Sequence, residues 1–138
     1  MSTPYESADL LLRLYDMRRE DTLRKARGWF GTFNPQSVQD IADVIKGEHS
    51  AWFRMVTSYW DMAASLVNHG AIDASMFGDS NGEHIFIFAK LQPFLAEYRS
   101  MMGSPTYLAQ VETLIMASPE GPARLEAVKR RIAAMAKK

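Results

Sequence analysis

The sequence predicts an all-α protein, a helical bundle of about five helices built around one long central helix at residues 38–69. Three observations support this fold class. Hydrophobic residues recur at the 3.6-residue period of an amphipathic helix rather than at the two-residue period of a strand. Residue patterns typical of helix starts precede most of these stretches. The segment richest in strand-forming residues, Ile85–Phe88, continues into apolar residues three and four positions apart, so it is also assigned to a helix.

The first helix is predicted to run from Pro4 to about Phe30. Thr3 is its N-cap, Pro4 occupies the first helical position, and Glu6 completes a capping box. Asn34–Pro35 ends the segment, because proline disfavours helical backbone at the residue before it. The buried stripe of its first half consists of Leu10, Leu11, Leu14, Tyr15 and Met17.

The central helix is predicted to begin after Ser37 and to end at Gly70 in a left-handed cap. Its apolar residues keep one phase across Gly47, within about 40° of a line along the helix, so we expect at most a bend there. A straight helix over residues 38–69 would be about 48 Å long, whereas the radius of gyration expected of the domain is about 14 Å. Because a straight helix would extend beyond the domain, we expect either a bend near Gly47 or burial of the protruding part against a second chain. The stripe consists of residues 38, 41, 45, 52, 56, 59, 63 and 67.

Shorter helices are predicted for the rest of the chain. Asp73 caps a short helix that ends at Phe77, and a loop follows at Gly78–Gly82. Ser80 and Glu83 have the spacing of a capping box for the next helix.

Three helices are predicted after this loop. The first continues to about Met102 and contains Pro93, the second runs from Ser104–Pro105 to about Ala117, and the third follows the Pro/Gly-rich segment at residues 118–122. The last helix is amphipathic, with its apolar face formed by Leu125, Val128, Ile132 and Met135.

Length and composition limit the class of protein. The 138 residues, 47% of them hydrophobic, predict one domain over residues 1–138. The absence of cysteine excludes disulfides, thiolate nucleophiles and cysteine-ligated metal centres. No apolar run approaches the roughly 20 residues of a membrane helix, and the polar start of the chain does not resemble a signal peptide. We therefore expect a soluble, cytoplasmic protein without membrane association.

Charge is balanced overall but unevenly distributed. Residues 34–83 carry two basic and seven acidic side chains, a formal charge of −5, and residues 84–138 carry eight basic and four acidic ones, a charge of +4. Opposite charges of this kind suit either contact within the chain or contact with a second chain.

Catalytic and metal-ligating patterns are missing from the sequence. The three histidines, His49, His69 and His84, form neither a Glu-x-x-His nor a His-x-x-x-His pair. The sequence also contains no phosphate-binding P-loop and no Gly-x-Ser-x-Gly nucleophile elbow. We therefore expect no cofactor, no metal and no enzymatic activity. A general base formed by His49 with Glu48 is the weakest alternative.

The residues most suited to binding lie on the central helix. His49, Trp52, Tyr59 and Trp60 are candidates for a ligand pocket lined by aromatic side chains. The alternative is that these side chains form part of the core, which the same spacing also predicts.

A nucleic-acid-binding helix-turn-helix is the other pattern on this segment. Residues 37–50 resemble its first helix and turn, with Ala51–Met62 as the recognition helix. Affinity for DNA depends mainly on lysine and arginine, and the recognition helix would supply only Arg54. We therefore expect no nucleic-acid partner.

Two stretches carry a resemblance to a known family. They are Ser-Tyr-Trp-Asp-Met-Ala-Ala-Ser-Leu-Val-Asn-His-Gly-Ala-Ile-Asp-Ala-Ser-Met-Phe at 58–77 and Phe-Ala-Lys-Leu-Gln-Pro-Phe-Leu-Ala-Glu-Tyr-Arg at 88–99. Together they resemble an uncharacterised bacterial family of helical domains of unknown function, over residues 20–102. The resemblance implies a helical fold, and it implies no activity, cofactor or catalytic residue.

The sequence thus leaves the function unknown and favours a small non-enzymatic module for protein–protein interaction. The alternative is a small-ligand-binding or sensor domain with an aromatic-lined pocket, and a weaker one is the helix-turn-helix-like nucleic-acid binder. The length of the central helix further predicts a homodimer.

Overall fold

In the computed structural model, which describes residues 2–136, the chain forms eight α-helices and no strand. The all-α prediction is confirmed, whereas the arrangement of about five helices around one long central helix is not observed. The helices are α1 (Pro4–Arg18), α2 (Asp21–Thr32), α3 (Val38–Lys46), α4 (Ser50–Asn68), α5 (Ala74–Ser80), α6 (Glu83–Met102), α7 (Ala109–Ala117) and α8 (Gly121–Ala136).

The first predicted helix is two helices, because the chain turns at Arg19 and Glu20. The capping box of Thr3 and Glu6 at the start of α1 is confirmed. Glu20 is in extended conformation and accepts hydrogen bonds from the backbone N–H groups of Thr22 and Leu23, so it is the N-cap of α2. Glutamate is not among the residues typical of an N-cap, so the boundary between α1 and α2 could not be predicted from this position.

The prediction of one continuous helix over residues 38–69 is wrong. Gly47 has an extended backbone, and α4 begins three residues after it. A Cβ atom at Gly47 would lie 3.1 Å from the carbonyl oxygen of Asp43, so the turn passes close to the end of α3. The apolar phase indicates which face of each helix is buried, and it does not indicate whether the two axes are continuous. The far end of α4 agrees with the prediction, since Gly70 has a φ of 81°.

Two further boundaries differ from the prediction. Helix α5 continues through Ser80, which leaves only Asn81 and Gly82 between α5 and α6. Gly82 is the N-cap of α6 without a side-chain hydrogen bond, so the predicted capping box of Ser80 and Glu83 does not form. Helix α7 begins at Ala109, after a turn in which Leu108 has a φ of 57°.

Helix α4 lies at the centre of the packing. It contacts α2 on one side and α7 on another, while α6 packs mainly against α8. Phe53, Val56 and Trp60 on α4 are almost completely buried, as are Phe30 on α2 and Phe88 on α6.

The predicted facing of the central stripe is largely correct. Val56, Tyr59 and Ala63 lie in the core, and Arg54 on the opposite face is exposed. Trp52, also predicted to be core, is only half-buried because it lies in the first turn of α4, next to the turn that ends α3.

A buried lysine joins α6 to the end of α2. Lys90 is only 5% exposed to solvent. Its Nζ donates hydrogen bonds to the carbonyl oxygens of Phe30 at 2.9 Å, Gly31 at 3.2 Å and Phe33 at 2.7 Å. The ammonium group thereby caps carbonyls at the C-terminal end of α2, where the helix dipole favours a cation.

Within residues 2–136, no helix combines the length and hydrophobicity needed to cross a membrane.

Candidate ligand-binding cleft

A polar cleft of about 940 Å³ opens where the α1–α2 turn, helix α4 and the α5–α6 junction meet. Acidic and basic side chains line most of the cleft. Trp60, a core residue, also contributes its ring to the wall. Its lining residues are Tyr15, Asp16, Arg18, Arg19, Glu20, Arg24, Arg27, Trp60, Ser80, Asn81, Gly82 and Glu83.

The central carboxylate of the cleft belongs to Glu83 at the start of α6. The Arg27 guanidinium on α2 forms a bidentate ion pair with it, with Nη2 2.7 Å from Oε1 and Nε 2.9 Å from Oε2. The indole Nε1 of Trp60 on α4 donates to Oε2 at 3.1 Å. Both charged side chains are less than one-third exposed. Hydrogen bonding to Glu83 raises the pKa of Arg27 above its ordinary value.

Arg18 covers one side of this cluster. It lies in the last turn of α1 and donates from Nη1 to Oδ1 of Asn81, which lies between α5 and α6. Its guanidinium carbon lies 5.3 Å from the ring centroids of both Trp60 and Tyr15, within cation–π distance. Arg18 thus joins α1, α4 and the α5–α6 junction.

The two remaining arginines lie at the exposed rim. Among the described residues, the one ion pair of Arg19 is a long contact with Asp16, 3.7 Å between two exposed side chains. Arg24 forms no ion pair among residues 2–136. Glu20 is occupied as the N-cap of α2, and these backbone hydrogen bonds lower its pKa.

This arrangement is suited to holding an anion. Arg18 and Arg24 present planar guanidinium groups, which bind carboxylate or phosphate oxygens in pairs. Of the carboxylates that line the cleft, Glu83 is paired with Arg27 and therefore repels an incoming anion less than a free carboxylate would.

The structure does not bring the four predicted site residues together. Trp60 forms part of the cleft. Tyr59 packs edge-to-face against Trp60 at 5.0 Å and donates its hydroxyl to the carbonyl oxygen of Leu14, so it is a core residue. Burial raises the pKa of Tyr59.

His49 and Trp52 belong to a different region. The His49 ring stacks on Trp29 of α2 at 5.0 Å and contacts Trp52 at 5.4 Å. Trp52 precedes Trp60 by eight residues, which is about 12 Å along α4. The core interpretation therefore holds for Tyr59, and His49 is a packing residue between α2 and α4.

Arg18, Arg27, Asn81 and Glu83 were not identified from the sequence. The feature of the sequence that could have indicated the cleft is the cluster of four arginines between Arg18 and Arg27. In one continuous helix these charges are typical of a solvent-exposed face, and only the turn at Arg19 and Glu20 directs them toward one cleft.

Within residues 2–136, no group of three or more histidine, aspartate or glutamate side chains is placed to hold a metal ion.

Comparison with protein families gives one match. The model of a domain of unknown function, DUF4760, matches residues 5–118, a range that contains the stretch from 20 to 102 on which the sequence resemblance rests. Comparison with curated proteins and with solved structures gives no match.

Proposed function

The chain belongs to the DUF4760 family, a domain of unknown function, and we propose that it is a non-enzymatic binding domain whose cleft takes a small molecule bearing a carboxylate or phosphate group. This is the small-ligand alternative of the sequence analysis, with the site moved from the aromatic residues of α4 to the arginines around Trp60.

One observation carries the proposal: four arginines line a single cleft whose innermost carboxylate is already neutralised. Because Arg27 is paired with Glu83, the positive charges of Arg18 and Arg24 are left for a ligand. Arg18 is held in place by Asn81 and Trp60, which reduces the conformational entropy lost on binding.

The same geometry supports a binding role over a catalytic one. Glu83 accepts hydrogen bonds from Arg27 and Trp60, and both of its oxygens are engaged by these two side chains. A general base has to be within hydrogen-bond distance of its substrate and free to take the proton.

Calorimetric titration with phenyl phosphate, benzoate and benzyl alcohol tests the proposal. The three probes share an aromatic ring and differ in charge. We expect the two anions to bind and benzyl alcohol to bind at least tenfold more weakly, since charge-assisted hydrogen bonds contribute about 1.5–3 kcal/mol each. Equal binding of the alcohol would contradict the proposal.

Matched variants locate the binding. Arg24→Gln is expected to weaken phenyl phosphate roughly tenfold, because it removes a rim guanidinium without disturbing the core. Arg13→Gln is the control, since Arg13 is an exposed α1 residue paired with Asp9 outside the cleft. An equal loss in both variants would mean that the anion binds non-specifically.

Protein–protein interaction, the leading prediction from the sequence, is supported as a second function by the outer face of α1. Tyr5 is 88% exposed, Leu12 69% and Tyr15 55%. Together with Ala8 they follow spacings of three and four along the helix, the pattern of a helix that packs against another helix.

Charge on α1 favours a second copy of the chain as the partner. Glu6 and Asp9 lie near its start, whereas Arg13, Arg18 and Arg19 outnumber Asp16 toward its end. Two α1 helices in antiparallel contact would place the acidic end of each beside the basic end of the other.

Light scattering during size exclusion tests the dimer. We expect about twice the 15.6 kDa chain mass for the wild type and the monomer mass for Leu12→Glu. Met101→Glu, at an exposed residue of α6, is the control and should leave the mass unchanged. A wild-type mass of one chain at high micromolar concentration would contradict the dimer.

Nucleic acid is left out of the proposal because of how α4 packs. The turn at residues 47–49 does give α3 and α4 a helix–turn–helix connection. However, α4 lies between α2 and α7, and its only basic side chain is Arg54. A recognition helix needs an exposed face with several cations.

The proposal also retains a bacterial source and a cytoplasmic location, which the sequence resemblance and composition favour. Fractionation of bacterial cells expressing the tagged chain tests the location.

A further inference from the structure

A second cavity, of about 780 Å³, lies beyond the cleft, between the end of α4, helix α5, the start of α6 and the α7–α8 turn. Its walls are mainly apolar, with Val67, Phe77, Ile85 and Leu114 among them. The cavity is large enough for a small organic molecule, and pockets that bind such molecules are typically apolar with a few polar groups.

The turn that closes the cavity is tightly packed. Gly121 begins α8 against the end of α7, and a Cβ atom there would lie 1.7 Å from the carbonyl oxygen of Ile115. This wall therefore packs closely against the end of α7.

His84 supplies a buried imidazole to the wall of the cavity. The residue is only 5% exposed, and its Nδ1 has no hydrogen-bond partner among the residues that the structure describes. Its ring is held between Phe77, 5.2 Å away, and Trp60, 6.1 Å away. Nδ1 itself has almost no accessible surface, so a ligand in the cavity reaches the ring at its other nitrogen, Nε2, where a hydrogen bond would add to the apolar contacts.

The charged groups around the cavity do not favour an ion. Arg124 contributes one positive charge, whereas Asp79 and Glu120 contribute two negative ones. Burial, and to a lesser extent Arg124, lowers the pKa of His84 to about 4, so its imidazole is neutral near pH 7.

We propose that this cavity binds an uncharged small molecule with an aromatic or branched apolar body and one hydroxyl group, which hydrogen-bonds to Nε2 of His84. A hydroxyl both donates and accepts, so it can bond Nε2 in either neutral tautomer of the ring. The apolar body would contact Val67, Phe77 and Leu114. This site is separate from the arginine cleft and does not depend on the function proposed for it.

Three naphthalene probes of similar shape test the proposal by fluorescence or calorimetric titration. They are 2-naphthol, 2-methylnaphthalene, which lacks the hydroxyl, and 2-naphthoate, which is anionic. We expect 2-naphthol to bind roughly tenfold more tightly than 2-methylnaphthalene and more tightly than 2-naphthoate. Absence of 2-naphthol binding, equal binding of the methyl compound or tighter binding of the anion would each overturn the proposal.

Two variants assign the binding to the cavity. His84→Phe keeps a planar ring and removes both ring nitrogens, so it should abolish the preference for 2-naphthol over 2-methylnaphthalene. Ala74→Trp, at an exposed residue of the cavity wall, should block the cavity and weaken both probes. An unchanged preference in His84→Phe, or unchanged affinity in Ala74→Trp, would contradict the assignment.

Arg24→Gln in the cleft is the matched control and should leave 2-naphthol binding unchanged. A loss there would place the naphthol in the cleft and overturn the second site. Circular dichroism of each variant establishes that it is folded. If His84→Phe does not fold, the wild-type comparison of the three probes still decides the ligand class.

Discussion

Replacing Lys90 by methionine should destabilise the protein by about 3 kcal/mol at pH 7. Methionine preserves most of the side-chain volume but removes the ammonium group that caps the end of α2. The loss should therefore reflect the hydrogen bonds of Nζ rather than a cavity.

The magnitude follows from the three carbonyls that Lys90 bonds. A hydrogen bond to a charged group contributes about 1.5–3 kcal/mol. The carbonyl of Phe30 keeps a second bond, from the N–H of Phe33, and Gly31 is exposed, so water can replace the ammonium there. The cost that remains is roughly one charge-assisted hydrogen bond plus the contact of Nζ with the Phe86 ring at 4.5 Å. Removing a desolvated charge offsets part of it.

Thermal and urea unfolding followed by circular dichroism measure the effect. For a chain of this size, 3 kcal/mol corresponds to a fall in Tm of roughly 10 °C. The control is Lys25→Met, at an exposed residue of α2, which should change stability by less than about 0.5 kcal/mol. Equal changes in the two variants would refute the capping role of Lys90.

The pH dependence gives a second check. Burial lowers the pKa of Lys90 from 10.5 to about 8. Between these values the unfolded chain binds more protons than the folded one, so the free energy of unfolding of the wild type rises with pH. The difference in stability between wild type and Lys90→Met should therefore grow from pH 8 to pH 10. A difference that stays constant or shrinks would contradict the buried environment of the ammonium group.

Two further pairs of variants test the packing. Val56→Asp should destabilise by several kcal/mol because Val56 is fully buried, whereas the exposed Arg54→Ala should change little; equal melting temperatures would mean that the facing of α4 is wrong. Gly121→Ala should lower Tm sharply because its Cβ would overlap the carbonyl of Ile115, whereas Gly28→Ala, in open space on α2, should stabilise by about 0.5–1 kcal/mol. Similar Tm values for these two variants would contradict the packing of the α7–α8 turn.

Local information in the sequence was sufficient for the helical class and for several helix ends. The caps formed by Thr3, Ser37 and Asp73 are observed, because each depends on hydrogen bonds between residues at most three apart. The burial of Val56 and Ala63 also followed from periodicity, since the core selects the apolar face of each helix whatever the direction of its axis.

Helix continuity was decided by tertiary packing. No local pattern ends a helix at Arg19. At Gly47 the glycine and the helix-turn-helix-like pattern indicated a turn, but uninterrupted helices over 4–30 and 38–69 satisfy the same hydrophobic periodicity. The chain turns at both places because long rods would leave their apolar faces exposed, whereas shorter helices pack α2 and α3 onto α4.

The contacts within the candidate site were also decided by tertiary packing. Arg27 and Glu83 are 56 residues apart, and single-sequence reasoning assigned them separate local roles, one on an exposed helix face and the other in a capping box. Trp60 was recognised as a binding candidate from its residue type, but its partners are fixed only where α2, α4 and α6 converge. The sequence by itself determined which residues form helices and which faces are apolar, because those depend on short-range spacing. Only the tertiary structure decided which charges meet, because ion pairs between distant helices depend on where the turns direct them.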